Sequence, residues 1–293
     1  MVLGSALPFH LQSAPPARAA SPKGAFLIEG VGESQGYSVK ALTRKVLDAA
    51  GGMGRFVSKG DVVVIKPNIS WARSPDLAAT THPLVLEETV RLCQEAGAAK
   101  VRIADHTIHD ARRCFAITGA GQVAERTGAD LVYPRSSLMR EVNIGGRRLE
   151  VWPVFTPFME ADKIINLPVA KHHATSRLTL GMKNWIGAVG GSRWSLHQDI
   201  HQTIVDLARF FKPTLTLVDA TRILVHNGPS GGSPSDVRVK NTLILSNDPV
   251  AADNRAAGLF GLGPREVGFI HLAEEQGLGA SDLNPMNLQK VTL

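Results

Sequence analysis

Apolar positions along the chain recur with two different periods. AFLIEGV (25–31) is a short apolar run that reads as a first strand. SVKALTRKVLDAAGG follows, with Val39, Leu42, Val46 and Leu47 on one helical face and a glycine stop. DVVVIKPNI (61–69) is a continuous apolar run ended by a polar turn, the pattern of a strand buried on both faces. HPLVLEETVRLCQEAGA predicts a helix opened by Pro83 and closed at Gly97. KVRIADH predicts a strand, residues 111–128 a helix, and ADLVY another strand. Alternation of this kind implies parallel βαβ units.

In the second half, RRLEVWPVF and ADKIINLPVAK predict strands, and the latter ends in a polar cluster. Residues 171–202 form a long Gly- and His-containing region. HQTIVDLARFF predicts a helix, TLTLVDAT a strand, and VRVKNTLILSND a strand or hairpin arm. NGPSGGSPS reads as an exposed loop, with the Gly/Ser/Pro stretch at 228–235 as an insertion. PVAADNRAAGLFGLG predicts a helix opened by Pro249, and GFIHLAEEQGLG a further helical piece. The fold expected is α/β: one Rossmann-like domain over residues 25–293, with a mostly parallel twisted sheet and helices on both faces. Residues 1–24 are rich in Ala, Ser and Pro. Ala17-Arg18-Ala19 has the small-x-small form of a signal-peptidase site. Two readings stand for this segment: a disordered leader on a cytoplasmic protein, or a truncated signal for export to the periplasm.

Composition narrows the class. The 44% hydrophobic and 20% charged content over 293 residues excludes a mainly disordered or fibrous chain. No apolar stretch approaches the ~20 residues of a transmembrane segment. The net charge of +6 is spread thinly, with Arg112-Arg113 and Arg147-Arg148 the densest pairs. It reads first as a surface trait, next as a pocket for a small anionic molecule, and last as nucleic-acid binding, so no nucleic-acid partner is expected. The two cysteines, Cys93 and Cys114, cannot supply a four-cysteine iron–sulfur cluster.

Candidate chemistry concentrates where predicted strands end, the edge at which open parallel sheets bind ligands. Lys66-Pro67-Asn68, Asp105-His106, Lys171-His172-His173, Asp219 and Asn247-Asp248 all follow strands. KHHATSRLTLGMKNWIGAVGG interleaves Lys171, Lys183, two histidines and Asn184 with apolar residues, as a packed segment facing a cavity would. Adjacent histidines point in different directions, so at most one of His172 and His173 is expected to serve. His197 and His201 are spaced i, i+4 and are expected on one helix face, as proton carriers or as ligands of a divalent metal. Asp248 reads as a helix cap or a substrate contact. Asp253 sits in an apolar context that calls for a partner such as Lys183. GxGxxG after the first strand, Walker A and CxxC are all absent.

VVIKPNI, TTHP, EAGAAKVRIAD, LPVAKHH, LGMKNWIG, the HQ-initiated helix, LTLVDA, SNDPVAAD and GLG occur in that order. Over about residues 26–283 this resembles the domain of unknown function 362 family of bacteria and archaea. The motifs map onto Lys171 and His173, then Lys183, Asn184 and Gly187, then Asp248 and Asp253. His82 stands where the family more often has an acidic residue. Many members of that family carry a ferredoxin-like module, but this chain has no such cysteines. Some members have twin-arginine export signals. The family is also distantly similar to the nickel-pincer lactate racemase fold, in which histidines and a lysine handle a 2-hydroxy acid. The first expectation is an enzyme for a small carboxylate, of isomerase or racemase type. In it Lys66, Asn68, Lys171, Asn184, Asp219, Asp248 and Asp253 bind substrate, while His173, Lys183, His197 and His201 carry the chemistry. The rival is a non-catalytic metal- or cofactor-binding accessory protein working with a separate redox partner.

Overall fold

The computed structural model describes residues 24–33, 36–281 and 288–293. The leader expectation, with Ala17-Arg18-Ala19, lies outside the described residues. In chain order the first half runs β1 (Leu27–Val31), α1 (Val39–Ala49), β2 (Val62–Pro67), α2 (Pro83–Glu95), β3 (Lys100–Ala104), α3 (Ala111–Ile117), α4 (Ala120–Thr127), β4 (Asp130–Val132), β5 (Met139–Asn143) and β6 (Val151–Phe155). The site-bearing middle is β7 (Lys163–Leu167), β8 (Val169–His173), β9 (Arg177–Thr179), α5 (Gly181–Asn184), α6 (Arg193–His197) and α7 (Ile200–Phe211). It is followed by β10 (Leu215–Leu224), β11 (Val237–Ser246), α8 (Pro249–Gly258), α9 (Gly268–Glu275) and β12 (Leu288–Thr292).

The main sheet has the order β12-β1-β11-β10-β7-β2-β3-β4. β2 runs parallel to β3 and β7, β3 to β4, and β7 to β10. β11 is antiparallel to both β1 and β10, because the loop from β10 returns it directly rather than through a crossover helix. The protein is therefore α/β with a mixed, mostly parallel sheet. Alternation within the apolar run of β2 explains its reading. Val63 and Ile65 pack with Leu42, Val46 and Val90 from α1 and α2. Val64 packs on the other face with the core that holds Trp185 and Ile204. Side-chain caps start the helices where the sequence places them. Ser38 accepts from Ala41 N at 3.2 Å, and Asp248 accepts from Val250 N and Ala251 N at 2.9 Å each.

Local breaks depart from the sequence reading. Pro168 splits the strand expected over ADKIINLPVAK. β7 stays in the sheet, whereas β8 shifts onto the far half of β10 and forms a hairpin with β9. That offset carries Lys171 and His173 out past the carboxyl ends of β2 and β7. Residues 111–128 form two helices, divided at Gly119, whose φ of 84° only glycine adopts without strain. The 228–235 stretch is a tethered loop: Asp236 accepts from Ser233 N at 3.0 Å and from Asn227 Nδ2 at 3.0 Å. β12, which pairs parallel to β1, has too few apolar residues to signal a strand.

Candidate functional site

The floor of the site is a buried polar network at the carboxyl ends of β2 and β3. Lys66 Nζ donates to Asp105 Oδ1 at 2.8 Å, to Asn184 Oδ1 at 3.1 Å and to its neighbour Pro67 O at 3.0 Å. Asp105 Oδ2 accepts from Ile69 N at 2.8 Å. Asn184 Nδ2 donates to Asn166 Oδ1 at 2.8 Å and to Lys66 O at 3.2 Å, and its Oδ1 also accepts from Asn68 Nδ2 at 3.1 Å. Asn68 Oδ1 in turn accepts from Lys171 Nζ at 3.1 Å, and the Lys171 ammonium donates as well to Ala79 O. Every member has partners, as a buried network must if it is to hold one geometry. Gly187 permits the close approach. A Cβ there would lie 2.1 Å from Asp105 Oδ1 and 2.8 Å from Lys66 Nζ.

Above this floor lies a small pocket of about 50 Å³, room for a few water-sized positions. Its charged lining is Lys171, Lys183 and Arg193, without any Asp or Glu, and His173, His197, Thr179, Asn68 and Asn184 supply further polar groups. Lys66 is 0%, Lys171 1% and Lys183 6% exposed. Three lysines and an arginine thus share one region in which Asp105 is the paired carboxylate. Burial pushes Lys171 and Lys183 down to about 7, and neighbouring positive charge (Lys183 for Lys171, Arg193 for Lys183) adds to the effect. Arg193 donates to His106 O, and the Thr179 hydroxyl is buried without a hydrogen-bond partner among the described residues.

The two imidazoles are in complementary states. His173 Nδ1 accepts from Thr175 N at 3.2 Å and Ser176 N at 3.3 Å, so the proton of the neutral ring is on Nε2. His197 Nδ1 lies 2.7 Å from Arg193 O, a pure acceptor, so Nδ1 carries the proton and Nε2 a lone pair. The rings stack with centroids 5.9 Å apart and planes 19° from parallel. Burial, with Lys183 next, holds His173 down to about 2, and burial also lowers His197. One ring offers a donor and the other an acceptor.

Other expected site residues are placed elsewhere. His201 does not share a helix face with His197, because the helix breaks between α6 and α7. It stacks on Phe269 at 6.4 Å, with Nδ1 buried and without a hydrogen-bond partner among the described residues. Asp253 does not meet Lys183. Its oxygens accept from Gly181 N at 2.7 Å and Met182 N at 2.9 Å, which anchors the short helix α5 that carries Lys183 and Asn184. Asp248 caps α8 and accepts from Ala280 N at 3.1 Å. Asp219 accepts from His82 N at 2.7 Å and from the Thr221 hydroxyl at 2.7 Å, away from the pocket lining. Lys66 lies beneath the pocket lining, with its charge matched by Asp105.

A divalent metal fits poorly here. No group of three or more His, Cys, Asp and Glu among the described residues is placed to share one, and the charged lining is entirely cationic. Cys93 and Cys114 are buried free thiols. Among the described residues no helix is long and apolar enough to cross a membrane. Sequence reasoning missed Arg193 and Thr179. Arg193 carried a faint signal, since it stands four residues before His197 and so lies on that histidine's helix face.

A protein of known structure with a similar fold is the lactate racemase apoprotein from Thermoanaerobacterium thermosaccharolyticum. It aligns with a TM-score of 0.50 and 13% identity over 85% of this chain, which spans 58% of the racemase chain. A thylakoid-associated protein of Synechocystis sp. is 30% identical over 262 residues, 84% of this chain and 78% of its own length. A family model, the domain of unknown function DUF362, matches residues 63–258. The chain therefore belongs to the DUF362 family.

Proposed function

We propose that the chain is an enzyme that holds a small carboxylate in this pocket and moves a proton at the carbon beside it. The observation behind the reading is the pocket lining itself: buried cations without an acid among them, next to one imidazole set to donate and one set to accept. A bound carboxylate relieves the repulsion among Lys171, Lys183 and Arg193, and the Arg193 fork can take it by parallel N–H bonds. His197 Nε2 then serves as general base, the neutral His173 Nε2–H donates a hydrogen bond to the developing anion, and the His197 imidazolium returns the proton. Return of a proton to the other face of the flattened carbon, or to a neighbouring atom, would complete a racemisation or isomerisation. The pocket volume of about 50 Å³ favours an acid of a few carbons over a nucleotide or sugar. The solved relative in fold is by name a lactate racemase, which makes 2-hydroxy acids the first to try.

The test is solvent exchange. The chain is incubated in D2O with D-lactate, L-lactate and other short 2-hydroxy and 2-oxo acids, and deuterium at carbon is read by mass spectrometry. Enzyme-dependent incorporation into at least one acid, lost in His197→Gln, is the expected result. No incorporation into any of them contradicts the reading.

A further inference from the structure

Lys183 differs from the two other buried lysines. Lys66 Nζ is held by Asp105, Asn184 and Pro67, and Lys171 Nζ by Asn68 and Ala79. Lys183 Nζ has no hydrogen-bond partner among the described residues, although the side chain is buried and lines the pocket. A buried ammonium without an acceptor is costly, so Lys183 is lowered to about 7 and passes between ammonium and uncharged amine near neutral pH. An uncharged lysine in a desolvated pocket next to another cation is the state in which amines attack carbonyls. Arg193, the neighbouring cation, supplies the group that would hold a carboxylate on the same molecule. The small volume limits that molecule to a few heavy atoms beyond its carboxylate.

We propose that Lys183 condenses with the carbonyl of a small 2-oxo acid whose carboxylate rests against Arg193. The proposal rests on the preceding reading that the pocket takes small carboxylates. The Nζ lone pair forms the C–N bond. The carbonyl oxygen takes up the two amine protons and leaves as water, so acid plus amine becomes imine plus water. The imine nitrogen takes a proton from water, and the resulting iminium draws electrons from the neighbouring C–H. His197 Nε2 takes that C3 proton to give the enamine, and returning a proton to C3 restores the iminium, which releases its N–H proton. Hydrolysis releases the acid with its C3 hydrogens exchanged.

The experiment is reductive trapping on the full chain. Pyruvate and cyanoborohydride are added near neutral pH, and the adduct is read by intact mass and peptide mapping. The expected result is one reduced pyruvate per chain, on the peptide that contains Lys183. The adduct is absent in Lys183→Met, weakened in Arg193→Met, and blocked by excess lactate, which carries the carboxylate but no carbonyl. Adducts scattered over surface lysines to the same extent in Lys183→Met, or no adduct at all, overturn the proposal. Should Lys183→Met fail to fold, the mapped position in the unaltered chain and its protection by lactate still decide. Lactate binding is measured in parallel by calorimetry. Binding without a pyruvate adduct overturns the imine and leaves the carboxylate pocket standing, whereas the loss of both removes the pocket reading as well.

Discussion

Replacing Asp105 with Asn tests whether the floor of the pocket is held by charge. Asp105 and Lys66 are 0% exposed and form an ion pair at 2.8 Å, while the second carboxylate oxygen accepts from Ile69 N at 2.8 Å. An amide has the same shape but only one acceptor end. With its oxygen toward Lys66, its NH2 faces the Ile69 N–H; flipped, its NH2 faces the ammonium. In both orientations a buried donor meets a donor, and the Lys66 charge loses its counter-ion. Removing one partner of a buried pair costs about 3–5 kcal/mol. At about 2–4 °C per kcal/mol for a chain of this size, Tm should fall by roughly 6–20 °C. The assay is thermal unfolding followed by circular dichroism, with Lys66→Met/Asp105→Asn as a second variant. Without the ammonium, the Asn oxygen is free to accept from Ile69 N, so the double variant should recover part of the loss. If Asp105→Asn melts within a degree of the unaltered chain, or the double variant is worse than the single, the charged-floor account is refuted.

Gly187→Ala forces a Cβ to within 2.1 Å of Asp105 Oδ1 and 2.8 Å of Lys66 Nζ, so urea unfolding should register a loss of about 1–3 kcal/mol. Asp253→Ala leaves the Gly181 and Met182 N–H groups buried without an acceptor; it should cost at least about 1–3 kcal/mol and disorder the α5 helix that carries Lys183, seen as a drop in lactate affinity. Stability should also rise with pH in one window. Lys171 and Lys183 are lowered to about 7 from 10.5, so between those values the unfolded chain binds more protons and gains less from deprotonation. Unfolding free energy should therefore climb from neutral toward alkaline pH, by at most about 1.4 kcal/mol per pH unit for each lysine. Lys183→Met should flatten that slope; an equal slope in the variant would contradict the burial of an uncharged amine.

Much of this site can be read from the chain, because strand ends are where an α/β sheet presents its polar residues. Lys66, Asn68, Asp105, Lys171 and His173 follow apolar runs, and β2, β3 and β8 bring them to one edge. The spacing of Lys171 and Lys183 did foreshadow one pocket, formed by the β8–β9 hairpin and α5. What remained hidden depends on contacts across the fold. Asp105 is 39 residues from Lys66, and nothing local distinguishes a carboxylate that neutralises a lysine from one that meets a ligand. The HxxxH spacing of His197 and His201 misleads because Asp199 caps a new helix between them, accepting from Gln202 N at 3.4 Å, and sends the two rings to different packing partners. Asp253 lies in an apolar helix that suggests a charge partner, yet two backbone N–H groups satisfy it.

The most direct measurement of the central claim is calorimetric titration of the chain with lactate across the pH range through about 7, the value to which Lys171 and Lys183 are lowered. A carboxylate binds the ammonium form. Affinity should therefore hold below that value and fall above it, by about tenfold per pH unit for each lysine that must be charged, with Arg193→Met weak throughout. Binding that is absent at every pH, or equally tight above and below neutrality, would contradict an anion pocket built from buried lysines.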